Sequence, residues 1–350
     1  MTAFLLVHAF VIVGAGQFPP VAAAIPRHRV DCPVCAKSFE AFAAIEPNAA
    51  AGLDRDLYAR AIGPQPEFYR ISTCPACLYS GYLADFTEAG PVPPDVVDKV
   101  RKSPRLPRPA GITPESDPRE IDARDRYSLA IQCYRWQQRS DEAVAWLHLR
   151  ASWVVRDTAC AIPRTPRLER VFAYAQRWQP PRRSGTNQAD IEMQMATQAA
   201  AAVAEGRFNR FQEPFVRFFV AISLRKQGEN RQAGPLLTAL RQDPLLEEPL
   251  REAAGRMADS IAAESRHQRE ALACFERALL SEQIAAKNRP VACYLAGELS
   301  RRLGRDRDAV RWFDAAIRSG RLPRNLHEWA HEQRALLRVG TEATSSAPGR

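Results

Sequence analysis

The chain has 350 residues, room for two or three domains, and 46% hydrophobic with 25% charged residues is the composition of a folded globular protein. Those proportions exclude both a disordered polymer and a bundle of membrane spans. The formal net charge is +9, carried by forty-four arginines against five lysines. The arginines are interleaved with Asp and Glu along helical stretches, which argues against a nucleic-acid-binding stripe.

Residues 1–24 differ in kind from the rest of the chain. Ala3 to Gly16 is apolar, Gln17-Phe18-Pro19-Pro20 breaks the run, and Val21-Ala22-Ala23-Ala24 closes it. That order predicts a secretory signal cleaved after Ala24, and so an exported protein. The run is too short to be a stable membrane span. A leading region without Lys or Arg leaves a cytoplasmic protein with an apolar leader as the alternative.

Two Cys-Pro-x-Cys clips stand within residues 25–90, Cys32-Pro33-Val34-Cys35 and Cys74-Pro75-Ala76-Cys77. A two-residue spacer lets one loop aim both sulfurs at a single ion, and two such loops complete a tetrahedron. Cys32, Cys35, Cys74 and Cys77 are therefore the candidate ligands of one Zn2+ ion. Four protein ligands leave no position for an activated water, so the expected role is structural. Two disulfides are the alternative. The thirty-eight residues between Cys35 and Cys74 exceed the commonest spacing and must fold as an insert.

Prolines crowd residues 91–119, which predicts a linker or an ordered strap without long helices. Helical periodicity fills residues 120–339, and 340–350 is a small polar tail expected to be disordered. Inside the helical part, small-then-bulky segments begin at Ala233, Ala271 and Ala309, each 38 residues after the last, with a degenerate earlier copy at Ala143. Equal spacing of this kind marks stacked helical hairpins. The segments resemble the second helix of a tetratricopeptide repeat, and Gly297 stands twelve residues before Ala309, as that repeat's first helix requires. Cys133, Cys160, Cys274 and Cys293 lie singly in helical patterns and read as small buried hydrophobes, with pairing left open.

Clips and helices together resemble one family. Cys32, Pro33, Cys35 and Phe39, then Phe68-Tyr69 ahead of Cys74-Pro75-Ala76-Cys77, then Asp85-Phe86, and the stretch from Cys133-Tyr134 through Ala151, Trp153 and Arg156 are similar to the bacterial family catalogued as domain of unknown function 2225. The resemblance implies a four-cysteine module followed by tetratricopeptide-like helices, and it implies no biochemical activity. Family members typically place Gly after the second clip, and glycine suits the turn of such a knuckle. Here Ala36 follows the first clip and Leu78 the second, which predicts strain or a different turn.

A rival chemistry lies at His327-Glu328-Trp329-Ala330-His331, which matches the H-E-x-x-H helix of zinc metallopeptidases. Few residues remain beyond it to supply a third ligand, and a polar capping helix is due at this point of a repeat array. Glycine-rich phosphate loops, dinucleotide fingerprints and nucleophile elbows are missing from the sequence. The expectation is a mainly α protein, with tetratricopeptide-like hairpin repeats behind a zinc-ribbon-like module. It would act as a non-enzymatic scaffold binding a protein or peptide on the concave helical surface. The peptidase, and a nucleic-acid-binding ribbon using Arg27, His28 and Arg29, are the alternatives.

Overall fold

The computed structural model describes residues 25–43, 49–88, 90–180 and 187–345, with the side chains of 339–345 excepted. The expected signal segment, residues 1–24, lies outside the described residues.

Two short hairpins begin the fold. Strand β1 (Arg27–Asp31) pairs antiparallel with β2 (Ser38–Phe42), setting Val30 opposite Phe39, and β3 (Ile71–Thr73) pairs antiparallel with β4 (Ser80–Tyr82). Each hairpin carries one cysteine clip in its turn. Helix α1 (Ala84–Thr87) comes next, and then α2 (Pro94–Lys102). Pro94 opens α2 because the first turn needs no amide donor, and Val96 and Val100 fall one turn apart on its inner face. These two valines and Leu106 pack with Val30, Phe39 and Tyr79 in the core of the hairpin module. Residues 91–119, expected as a linker or an ordered strap without long helices, are ordered and pack on the hairpins, and the prolines leave room for the nine-residue α2.

The rest is helical: α3 (Ala123–Trp136), α4 (Asp141–Ala159), α5 (Pro166–Ala175), α6 (Gln188–Ala204), α7 (Glu213–Lys226), α8 (Asn230–Arg241), α9 (Glu248–Leu280), α10 (Arg289–Arg302), α11 (Asp306–Arg318) and α12 (Arg324–Ser345). Three pairs, α3 with α4, α7 with α8, and α10 with α11, are antiparallel hairpins closed by one kind of turn. Each turn contains one left-handed residue: Gln138 (φ 53°), Gly228 (φ 75°) and Gly304 (φ 74°). Five residues after each stand Ala143, Ala233 and Ala309, and four further on stand the buried Leu147, Leu237 and Phe313. The structural repeat therefore aligns Ala143, the copy that looked degenerate, with Ala233 and Ala309.

Ala271 obeys the same spacing but lies in the second half of the 33-residue helix α9. No breaker precedes it, so the helix runs through the point where a hairpin turn would fall. Its partner is α4: Trp146 of α4 meets Phe275 of α9 edge-on, with ring centroids 5.7 Å apart. One core cluster joins α3, α4, the second half of α9 and α10 to α12; another joins α5 to α8 and the first half of α9. The last helix, α12, continues to Ser345, past Gly340 where the disordered tail was expected to begin.

The insert between the clips does not stay with the hairpins. Residues 53–60 form a tight loop in which Asp54 NH donates to the Tyr58 carbonyl at 2.9 Å, Leu57 is left-handed (φ 69°), and Leu53 bridges to Ala59. The loop is seated among α4, α6, α9, α10 and α12. Asn187, at the start of α6, exchanges hydrogen bonds with the Leu53 backbone; Tyr294 of α10 donates to the Arg55 carbonyl at 2.8 Å; and the Arg55 guanidinium lies 4.6 Å over the Trp329 ring of α12. The helical surface expected to be open to a partner is at this place filled by the chain's own insert. Sequence periodicity reports which side of each helix is apolar, not which segment covers it.

The loop delivers two carboxylates to a buried ionic cluster. Asp56 accepts from Trp153 Nε1 at 3.0 Å and from Arg156 at 2.9 Å, and it pairs with Arg302 at 2.9 Å. Asp54 pairs with Arg60 at 2.9 Å and Arg156 at 3.3 Å. Glu264 of α9 ties Arg156 to Arg225, Asn230 and Gln268. Burial raises both Asp carboxyls, but Arg156 and Arg302 outweigh it at Asp56, which is held at about 2. At Asp54, Arg60 and Arg156 offset burial only in part, and the carboxyl is pushed up to about 6.

Candidate metal centre

The four clip cysteines come together. Their sulfurs all lie within 4.8 Å of one another, with Cys32 Sγ 3.5 Å from Cys77 Sγ and Cys35 Sγ 3.6 Å from Cys74 Sγ. Metal–sulfur bonds of about 2.3 Å give a tetrahedron with edges of about 3.8 Å, so this spacing fits four thiolates around one ion. A disulfide needs sulfurs about 2.05 Å apart, and all eight cysteines are free.

Each clip is a knuckle with the same hydrogen bonds. In the first, Ala36 NH donates to the Cys32 carbonyl at 2.8 Å and Cys32 NH to the Lys37 carbonyl at 3.0 Å; in the second, Leu78 NH donates to Cys74 at 2.8 Å and Cys74 NH to Tyr79 at 2.9 Å. This turn requires a left-handed residue after the last cysteine, and Ala36 (φ 60°) and Leu78 (φ 67°) adopt it without being glycine. The strain expected from the sequence is located at these two residues. Leu78 is compensated, since its side chain is buried in the module core, whereas Ala36 is exposed.

Hydrogen bonds from Cys32 and Cys77 hold the Cys74 thiol at about 2, and the corresponding contacts, with burial, push Cys32 and Cys77 far above the usual thiol range. Four thiolates this close repel one another, so they need a cation among them to be charged together. Four thiolates around a divalent ion carry a net charge of −2. Two guanidinium groups stand nearby: Arg101 of α2 donates to the Val34 carbonyl at 2.6 Å, and Arg108 donates to the carbonyls of Pro75 at 2.5 Å and Ala76 at 2.8 Å. Each knuckle thus has one arginine fastened to the carbonyls between its cysteines. Sequence reasoning missed both, because nothing in a proline-rich segment announces that its arginines fold back across about 30 to 70 residues.

Asp85-Phe86 joins the module to the helices. Phe86 packs edge-on against Phe39 and Tyr79, one from each hairpin, at 5.3 and 5.4 Å. Asp85 accepts from Tyr134 Oη at 2.6 Å, from Arg139 at 2.9 Å and from the Tyr82 backbone NH at 2.8 Å. Cys133 is buried against the module core, while Cys160, Cys274 and Cys293 are buried among helices.

His327, Glu328 and His331 lie on α12. The imidazoles are one turn apart with centroids 4.5 Å apart, and Glu328 pairs with Arg324 at 3.0 Å. Leu326, Trp329 and Ala330 point into the core. Among the described residues, no third His, Cys, Asp or Glu joins this pair in a metal-sized group. Arg27, His28 and Arg29 are exposed on β1. Among the described residues, no helix is long and apolar enough to cross a membrane.

Searches of curated proteins and of solved structures returned no match. The model of one family, described as an uncharacterized protein conserved in bacteria (DUF2225), matches residues 26–180 and 253–337. The first match holds the metal module and α3 to α5, and the second holds most of α9 and α10 to α12. The two matched segments meet where α4 packs on α9, and residues 181–252 bring α6, α7 and α8 between them. With the match spanning well over half its length, this chain, whose four clip cysteines lie together within the first matched segment, belongs to the DUF2225 family.

Proposed function

We propose that the protein is a non-enzymatic, zinc-stabilised interaction scaffold. Zn2+ is the ion that best suits four thiolates in a closed tetrahedron, since it imposes no geometry of its own and undergoes no redox change. The observation that carries the reading is the pairing of four convergent sulfurs with two knuckle arginines, an arrangement that fills the metal's coordination and offsets its charge. In such a site the ion would supply folding energy to hairpins whose strands are three to five residues long, too small to bury a core of their own. The helical hairpins, fixed relative to the module by Asp85 and the insert, would then present surfaces to a protein partner.

The test is elemental analysis of the purified protein with its Cys74→Ser and His327→Ala variants. The reading requires one zinc per chain, lost with Cys74→Ser and kept with His327→Ala. Absence of zinc from the unmodified protein, or a zinc-dependent proteolysis abolished by Glu328→Gln, would overturn it.

A further inference from the structure

A groove of about 650 Å3 opens beside α5, between the α6–α7 loop, α7 and the α8–α9 loop. Val171, Phe208, Phe215 and Val216 line it. Phe211, Tyr174 and Leu245 stand at it with 59%, 42% and 39% of their surface exposed, among the most exposed large apolar side chains of the molecule. Three arginines also line it, Arg167, Arg170 and Arg207, and no Asp or Glu does. Arg167 reaches only Glu247, at 3.7 Å, and Arg207 pairs with its neighbour Glu205. Arg170 makes no ion pair among the described residues. Aromatic side chains and arginines left together at a surface are the residues that dominate protein interfaces, and the charge of Arg170, matched by no carboxylate among the described residues, favours an anionic partner.

Residues 207–245, which supply most of the groove, lie in the stretch 181–252 that the family model leaves unmatched. The groove is therefore not part of what the family resemblance implies.

We propose that this groove docks an acidic peptide segment carrying one aromatic or large aliphatic anchor. The proposal rests on the interaction-scaffold reading and names the partner's chemistry. A small ligand would leave Phe211, Tyr174 and Leu245 exposed, whereas a peptide covers both floor and edge. Single-stranded nucleic acid needs open ring faces for its bases to stack on. Here Tyr174, Trp178 and Phe208 present edges to one another at 5.1 to 6.2 Å, Arg210 covers Phe211 at 4.6 Å, and Arg167 covers Phe215 at 5.8 Å. The anchor enters between the rings, and its flanking carboxylates meet Arg167, Arg170 and Arg207.

Fluorescence anisotropy of a fluorescein-labelled nonapeptide of Asp and Glu with one central Trp tests this, using the full chain and circular dichroism to verify folding of each variant. The expected result is a Kd of about 10 μM or tighter that weakens with salt. Arg170→Glu and Phe211→Ser should each weaken it by about tenfold or more, while Arg105→Glu, exposed on the metal module, leaves it within about twofold. Absence of binding at millimolar protein, or equal losses in all three variants, would overturn the assignment. So would tighter binding, through Arg170, of an oligouridylate or of vesicles rich in phosphatidylglycerol. Zinc content is measured independently of this groove, so a failed peptide assay leaves the metal reading to its own test.

Discussion

Arg156 of α4 donates to Asp56 of the insert across 2.9 Å, with both side chains shut away from solvent. The contact joins residues a hundred positions apart and makes Arg156 the hub of a cluster that also holds Asp54 and Glu264. Removing the hub leaves each of the three buried carboxylates with one arginine, Asp54 with Arg60, Asp56 with Arg302 and Glu264 with Arg225, and strips all three of hydrogen bonds they shared with it. Arg156→Met is expected to destabilise the fold by about 3 to 5 kcal/mol, read as a lower urea midpoint. Adding Asp56→Asn to it should cost less than the two single changes summed, because the contact between the two residues is lost only once.

Two helical glycines make a matched pair. A Cβ on Gly297 would lie 2.8 Å from the Phe313 ring, the aromatic that fills the groove between α10 and α11. Gly297→Ala should destabilise by about 1 to 3 kcal/mol through overpacking. A Cβ on Gly255 of α9 meets only the flexible Arg241 side chain, at 3.4 Å and beyond, so Gly255→Ala should stabilise by about 0.5 to 1 kcal/mol through helix propensity. Thermal unfolding of the two variants should move in opposite directions.

The two strained knuckle residues should also part company. Ala36→Gly relieves a left-handed alanine at an exposed position and should stabilise by up to about 1 kcal/mol. Leu78→Gly relieves the same strain but removes a buried side chain worth about 2 kcal/mol, so it should be destabilising. Chelator-induced unfolding monitored by circular dichroism distinguishes them: slower in the first, faster in the second.

His148 and His267 form a neutral pair between α4 and α9. Arg135 donates to His148 Nε2 at 3.2 Å, which fixes the proton on His148 Nδ1, and that nitrogen faces His267 Nδ1 at 3.1 Å. Burial, then His267 and Arg135, hold His148 at about 3; burial, then Arg266, hold His267 at about 4 despite Glu270. The unfolded rings take up protons near pH 6.5 and the folded ones do not, so stability is full above pH 6.5 and falls as pH drops toward 4. Between pH 7 and 5 the loss is at most about 2 kcal/mol for each ring. Urea midpoints at the two pH values should show a smaller difference in His267→Gln than in the unmodified protein.

The sequence made legible what is local or periodic. Two clips named four ligands, and Ala309, Phe313 and Gly297 correctly marked one hairpin. Ala271 misled because spacing records which residues face a neighbour and says nothing about whether a turn precedes them. The left-handed residues at 138, 228 and 304 are the better signal, since they are where the chain must reverse. Beyond reach were Arg101, Arg108 and Asp56, whose roles depend on where distant segments land. A polar residue's partner leaves no periodic trace.

Cys35 and Cys74 bracket the loop that carries Asp54 and Asp56 into the helices. An ion bound by both clips is therefore a cross-link closing a 40-residue ring, and by chain entropy alone such a closure is worth about 4 kcal/mol. Linkage is reciprocal, so whatever free energy the closure lends to seating the insert, the seated insert returns as metal affinity. Chelation and unseating of the insert then become one equilibrium approached from opposite ends. The apparent dissociation constant of the ion reports on contacts made by residues that never touch it.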